Sequence, residues 1–309
     1  MIFNKQNKGT EELRELTGNY YKNNDFSKVS AQIELVTEEV TAIIGQKIYK
    51  KAEKAYTENS EDKDIQKLIR KIQHPIAIMA TLRMYQRNDL SHEDDGRKFK
   101  IDGVNEKLPW QWQLDRDDEL HLEDYYKALD ALIRYLNEND YSEWKQERTY
   151  KLSRLLLIKN GQSFDSYFPI RKSERMYVEL IPFIKEAQLL YVKKGYGFDK
   201  WEELLNDESE NETEVHYAAC KALALYAMSM AMTRMQIQVI PKAVIREYSK
   251  SAGAINSEPA SMDDIRLLAG WMKDDADIWL NEMKKLRNGE NVVLDLLPDN
   301  NPKNKYMQL

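Results

Sequence analysis

Four histidines, one cysteine and two acidic clusters are the residues of this chain that could do chemistry, so their spacing comes first. The run Ser91-His92-Glu93-Asp94-Asp95 offers nitrogen and oxygen ligands to a cation. Ion-binding loops place ligands at defined intervals around a turn glycine, and here only Gly96 follows, so a solvated loop is expected. Asp117, Asp118 and Glu119 are carboxylates of the kind that general acid–base catalysis uses. Acids in a first helical turn are explained by the helix dipole without further cause, and that is the expected reading. Cys220 lies in an apolar run without a basic neighbour to lower its pKa, so it is expected to be a buried structural thiol rather than a nucleophile. His74 precedes Pro75, His216 opens the same apolar run, and His121 stands among acids. The chain has no GxxxxGK[ST] phosphate loop, no GxSxG elbow, no HExxH and no CxxC pair. It is expected not to be an enzyme, with no catalytic, cofactor-binding or metal residues assigned and no small-molecule substrate. A hydrolase with an acidic site in residues 88–118 is the remaining enzymatic reading.

Two apolar features sit where a surface would be expected. Trp110 and Trp112, in Leu-Pro-Trp-Gln-Trp-Gln-Leu, lie two residues apart in an irregular stretch, so in extended chain they point to one side. They either plug a local core, the favoured reading, or anchor a partner. Near the C-terminus, Val292, Val293, Leu294, Leu296 and Leu297 fill five of six positions, too apolar a run for a free tail. Pro298 and Pro302 then disfavour helix, and Tyr306 lies near the end of the polar stretch that follows. This segment either packs on a neighbouring subunit as an extended arm, or its aliphatic part folds back on its own bundle. Trp110, Trp112, Val292, Val293, Leu294, Leu296, Leu297 and Tyr306 are therefore the candidate protein-interaction residues.

The elements that must position these residues are helices. Only 11 Gly and 8 Pro occur in 309 residues, whereas all-β folds consume both in turns. Between Ala218 and Met232 only Lys221 and Ser229 are polar, which describes a helix buried on every face, with Ala222, Leu225, Tyr226 and Met232 nearly inaccessible. The run is too short to span a membrane, and its methionines are expected to fill core. Ile33, Val36, Val40, Ile43, Ile44 and Ile48 predict one helix over Ser27–Tyr56, broken by the polar run from Thr57 to Lys63. A second helix, Asp64–Arg87, should be kinked or split at Pro75. A short hairpin at Phe99–Val104 would turn at Asp102-Gly103. Further helices follow at Tyr125–Leu136, with Asp117 and Asp118 at its positive end, and at Trp144–Ile158. Another runs over Ser173–Lys194, interrupted at Pro182 and closed by Gly195. The last presents Ile265, Leu268, Met272, Ala276, Trp279, Met283 and Leu286 on one face.

Charged residues at 32%, a net charge of −6 and the lone Cys fit a protein of the reducing cytoplasm that does not bind nucleic acid generally. The N-terminus shows no signal-peptide hydrophobic region. The fold class expected is all-α, a multi-helix bundle. Its organisation is an N-terminal helical half over residues 1–160, a C-terminal half over 161–290, and an extended arm over 291–309. Both halves read amphipathic helix, polar spacer, apolar helix, irregular stretch, amphipathic helix, offset by about 146 residues, so an internal duplication is expected. That register sets Tyr125 on Trp271 and Leu132 on Ile278.

Phe168-Pro169-Ile170-Arg171, the helix continuing as Val178-Glu179-Leu180-Ile181-Pro182, the Ala-rich helix and Val239-Ile240-Pro241-Lys242 occur together. In these the chain resembles an uncharacterised all-helical family of tailed phages and prophages of gut anaerobes. The resemblance covers about residues 163–290. It implies a virion structural protein of the head–tail connector or adaptor type, acting by oligomeric assembly, first in the bacterial cytoplasm and then in the virion. Its partners would be other copies or other virion proteins, with no membrane and no specific nucleic acid. Its motifs are packing motifs and transfer no functional residue. The alternative is a regulatory or host-interaction module of a mobile element.

Overall fold

The computed structural model describes residues 1–18, 25–89, 91–93, 96–98, 110–206, 213–235, 246–248, 257–259 and 261–289. It is an all-α multi-helix bundle. Among the described residues, strand is confined to two antiparallel pairs of three residues a side. The chain divides into two compact units: Met1–Ser153 with Ser173–Val178, and Arg154–Lys172 with the residues from Glu179 onward.

The first unit begins with a 3-10 turn, Lys5–Asn7, and helix α1, Gly9–Thr17. Helix α2, Ser27–Ile44, buries Val29, Ile33, Val36, Val40 and Ile44 at helical spacing. The single helix expected over Ser27–Tyr56 is two, because Gly45 adopts a φ of +88° that few other residues would. Helix α3, Gln46–Glu58, ends at Asn59 in the left-handed region. Asp62 then caps α4, Lys63–Asn88, by accepting from the N–H groups of Asp64 (2.9 Å) and Ile65 (3.4 Å). Helix α4 runs through Pro75 as one helix, so the proline does not split it. Burial of Leu68, Ile72, Ile76, Ala77 and Ala80 on either side outweighs the missing bond. Strands β1, Ser91–Glu93, and β2, Gly96–Lys98, pair with His92 opposite Arg97. The hairpin expected at Phe99–Val104 lies outside the described residues.

Helix α5, Gln111–Glu138, starts almost four turns before the apolar periodicity that revealed it. Gln113 closes its first turn by accepting the Trp110 N–H at Oε1, 3.0 Å. Asp117 and Asp118 thus fall in its second turn, beyond the first-turn position that the dipole argument gave them. Buried Tyr125, Leu129, Leu132, Ile133 and Leu136 pack α5 on α4, which also meets α1, α2 and α3. Helices α6, Ser142–Lys145, and α7, Arg148–Arg154, complete the unit with Trp144, whose Nε1 donates to Asn137 Oδ1 at 2.9 Å. The helix expected to reach Ile158 stops early.

In the second unit the reason for that stop appears. Buried Gln188 accepts the Leu157 N–H (2.8 Å) and donates to the Leu155 carbonyl (3.0 Å), holding the backbone out of helical geometry. Helix α8, Gly161–Tyr167, precedes α9, Glu174–Ala187, of which the residues up to Val178 belong to the first unit. Pro182 does not interrupt α9. The axis continues as a π-helical turn, Gln188–Val192, and α10, Lys193–Tyr196, and is closed by Gly197 at φ +108° rather than by Gly195. Helix α11 spans Trp201–Leu205.

Helix α12, Glu214–Arg234, is the apolar run, and Ala222, Leu225, Tyr226 and Met232 are all buried. Its two polar interruptions both reach carbonyls: Lys221 Nζ donates to Tyr167 O (2.6 Å) and Ser229 Oγ to Ala269 O (2.7 Å). Met228 and Met232 are buried as core filling requires, whereas Met230 and Met235 are only half-buried. Strands β3, Arg246–Tyr248, and β4, Ser257–Pro259, pair before α13, Met262–Asn288. Ser261 caps α13 through the Asp264 N–H (3.2 Å), and Gly289 at φ +69° ends it. Its expected face is turned inward, with Ile265, Ala276 and Met283 buried against α12.

Candidate interaction surfaces

Trp110 is 72% exposed and Trp112 60% exposed. The expectation that they plug a local core is therefore overturned. The early start of α5 puts Trp110 at the helix N-cap and Trp112 in its first turn, so the extended-chain argument that gave them one side does not apply. Two indoles on the solvent side of a helix start are more apolar surface than a solvated turn needs.

A second apolar surface was not legible from periodicity. Helix α13 exposes Leu267 (53%), Trp271 (57%) and Ile278 (65%), with exposed Asp274 between them. At four, three and four residues these positions form one stripe along the helix. A comparison with α5 shows how unusual the stripe is. The expected register of about 146 fails on burial, since it sets buried Leu132 on exposed Ile278 and buried Tyr125 on exposed Trp271. A register of 144 instead sets His121 on Ile265, Tyr125 on Ala269, Leu132 on Ala276 and Leu136 on Leu280, all buried. In that register Leu267, Trp271, Asp274, Ile278 and Asn281 stand where α5 has Glu123, Lys127, Asp130, Arg134 and Asn137. Three apolar side chains replace three charged ones, while the Asp and Asn recur.

On α5 that Asp and Asn hold a docked segment. Asp130 Oδ1 accepts from Ser173 Oγ (2.9 Å) and from the Arg175 backbone N–H (2.8 Å), capping the start of α9. Asn137 lies 3.4 Å from Glu174 Oε2, and the Arg175 guanidinium stacks on Tyr126 at 4.2 Å. On α13 the same face is bare among the described residues: Gly270, Asp274 and Asn281 are exposed, and no described atom comes within 4 Å of where a Gly270 side chain would begin.

The residues chosen for chemistry scatter. Asp117 and Asp118 belong to a polar fringe, where Asp118 accepts from Gln86 Nε2 (2.9 Å) and His121 Nδ1 lies 3.5 Å from Asp117 Oδ2. Burial, and then the Asp118 charge, pushes the Asp89 carboxyl up. Cys220 is buried as expected, although it does have a basic neighbour: His216, one turn earlier, lies 3.8 Å from its sulfur. Buried Tyr226 stacks on Tyr191 at 4.1 Å and donates to Asp277, and burial followed by this bond raises its pKa. Among the described residues no group of three or more His, Cys, Asp or Glu is placed to hold a metal. No described helix is long and apolar enough to cross a membrane. Val292, Val293, Leu294, Leu296, Leu297 and Tyr306 lie outside the described residues.

No curated protein and no solved structure matches this chain. The family of unknown function DUF6712 matches over residues 17–154 and 184–288, well over half the sequence. The chain belongs to the DUF6712 family.

Proposed function

We propose that this protein is a non-enzymatic structural component of a phage or prophage, a head–tail connector or adaptor subunit that works by oligomeric assembly. The observation that carries the reading is apolar surface presented to solvent by well-packed helices, Trp110 and Trp112 on α5 and Leu267, Trp271 and Ile278 on α13. Tryptophans on a rigid helix lose little entropy on docking, which suits them to protein interfaces. The net charge of −6 suits a channel that must pass DNA without holding its phosphates. Mass spectrometry of purified virions tests the proposal. The chain should be present at a fixed stoichiometry to the portal protein, and particles lacking it should be unjoined heads and tails. Intact, infectious particles without the chain would overturn the reading.

We infer further that the two units descend from an internal duplication. In support, a long apolar helix, a two-stranded pair and a long amphipathic helix follow one another in each. The matching burial of α5 and α13, and the recurrence of Asp130 and Asn137 as Asp274 and Asn281, point the same way.

A further inference from the structure

We propose that the exposed stripe Leu267–Trp271–Ile278 of α13 is the docking site for Val292–Leu297 of a second copy of this chain, an inference that rests on the assembly reading and names its contact. The stripe is chemically specific. At the equivalent positions α5 carries Glu123, Lys127 and Arg134, so apolar residues are not what this face needs to stay in water. An aliphatic segment suits it, and Val292–Leu297 is an aliphatic run of matching length.

The lengths agree. Eleven residues separate Leu267 from Ile278, about 17 Å along a helix. Five steps from Val292 to Leu297 span about 17 Å of extended chain. Laid antiparallel, Val292 covers Ile278 and Leu297 covers Leu267. The segment after Pro302 then runs past the start of α13, bringing Lys303 and Lys305 towards exposed Asp263 and Asp264. An extended segment also has backbone N–H groups to satisfy. Asp274 is placed to take one, as Asp130 takes the N–H of Arg175 at the equivalent site.

Within one chain this register would need Gly289–Val292 drawn straight back along α13 at full extension, with no residue left to reverse the chain. Val292 follows Gly289 by three residues, which span at most about 11 Å. Ile278 lies eleven residues back along α13, about 17 Å from Gly289. The arm that covers the whole stripe is therefore a neighbour's. Donor arm and acceptor stripe are different surfaces, so the contact either repeats head to tail, the geometry that closes rings, or is exchanged reciprocally between two copies; the assembly reading selects the first.

Disulfide trapping in the full-length chain tests it. Cys220 is buried and stays in place. Ile278→Cys protein mixed with Val292→Cys protein should cross-link between chains at least tenfold faster than Leu35→Cys protein mixed with Val292→Cys protein. Leu35, on α2, is exposed but lies off the stripe. In sedimentation, wild-type protein should self-associate with rising concentration. Trp271→Ser, Ile278→Asp and a chain ending at Gly289 should remain monomers with unchanged helical circular dichroism. Cross-linking no faster than the control overturns the proposal, as does closure only within a single Ile278→Cys/Val292→Cys chain. If wild type and all three variants associate alike, the docking site is wrong while the assembly reading stands. Absence of the chain from virions sinks the assembly reading by itself.

Discussion

Helices α5 and α13 are built alike and finished differently. Each is the long amphipathic partner of an apolar helix, and in a register of 144 four buried positions of α5, His121, Tyr125, Leu132 and Leu136, coincide with four of α13, although buried Leu129 and Ile133 meet exposed Lys273 and Asp277. The outer face of α5 is charged, and its C-terminal half receives Ser173–Arg175 through Asp130 and Asn137. The outer face of α13 keeps the Asp and the Asn, exchanges three charges for Leu267, Trp271 and Ile278, and receives nothing among the described residues. Inner faces answer to packing, so their central positions agree. Outer faces answer to whatever comes next, and there the two units part.

The register is the part of this comparison that substitution breaks most visibly. Ala276→Asp puts a carboxylate where the wild-type side chain is fully buried. It should cost more than about 3 kcal/mol, because a buried charge without a partner has no compensation. Ile278→Asp, two residues on, should stay within about 0.5 kcal/mol in the monomer, as exposed substitutions do. Urea unfolding followed by circular dichroism measures both. If the two costs are exchanged, the 146 register is right and the stripe faces the core.

The docked face gives the next contrast. Asp130→Ala removes the acceptor of two hydrogen bonds and should cost about 1.5–3 kcal/mol, the range for bonds to a charged group. Asp274→Ala at the equivalent position should change stability by less than about 0.5 kcal/mol. Equal losses would mean that the face of α13 is already occupied in the monomer.

Two glycines sharpen the picture at the next level down. A Cβ at Gly195 would meet Leu280 Cδ1 at 2.9 Å and Lys284 Cε at 3.2 Å. Gly195→Ala should therefore cost about 1–3 kcal/mol by overpacking the approach of α10 to α13. Gly270→Ala meets nothing within 4 Å and should gain about 0.5–1 kcal/mol of helix propensity. Melting temperatures moving in opposite directions would bear this out, and a loss at Gly270 would show that its face is covered.

What the sequence revealed was what periodicity can reveal. The all-helical class, the buried α12 and the inner face of α13 are written in apolar spacing. Helix ends were read less well, since they turn on single contacts that spacing does not show. Gly45 adopts a positive φ, and Gln188 captures the backbone at Leu155 and Leu157, 33 and 31 residues away. Pro75 and Pro182 looked like breaks, yet the burial around them holds each helix together. The place of Trp110 and Trp112 at a helix start is not legible in spacing, because the start of α5 is polar and carries no apolar period. The α13 stripe was in plain view as Leu267, Trp271 and Ile278. Those positions lie outside the apolar period of the inner face, and the signal that finds them is comparison with Glu123, Lys127 and Arg134.

The smallest expected effect separates the ion pairs of the two units. In the first, Lys51 Nζ donates to both carboxylate oxygens of Glu143 at 2.9 Å and lies 5.4 Å from the Tyr141 ring, with both charged groups mostly covered. That hydrogen bond holds the Glu143 carboxyl below its ordinary value, against a smaller opposing effect of burial. In the second unit Arg234 grips Glu186 at 2.7 and 2.9 Å, out in solvent. A carboxyl with a depressed folded pKa contributes stability that is complete above its unfolded value, near 4.5, and fades as the pH falls through the folded one. Wild-type protein should therefore lose stability below about pH 4.5, and Lys51→Met should flatten that part of the curve by less than about 1 kcal/mol, the scale of a partly exposed pair. Arg234→Met should leave the same part of the curve unchanged, because water already screens its charge. Unfolding midpoints in urea between pH 3 and pH 6 decide the matter. If Arg234→Met flattens the acid limb as much as Lys51→Met does, the covered pair has no advantage over the open one, and the difference between the units does not extend to their electrostatics.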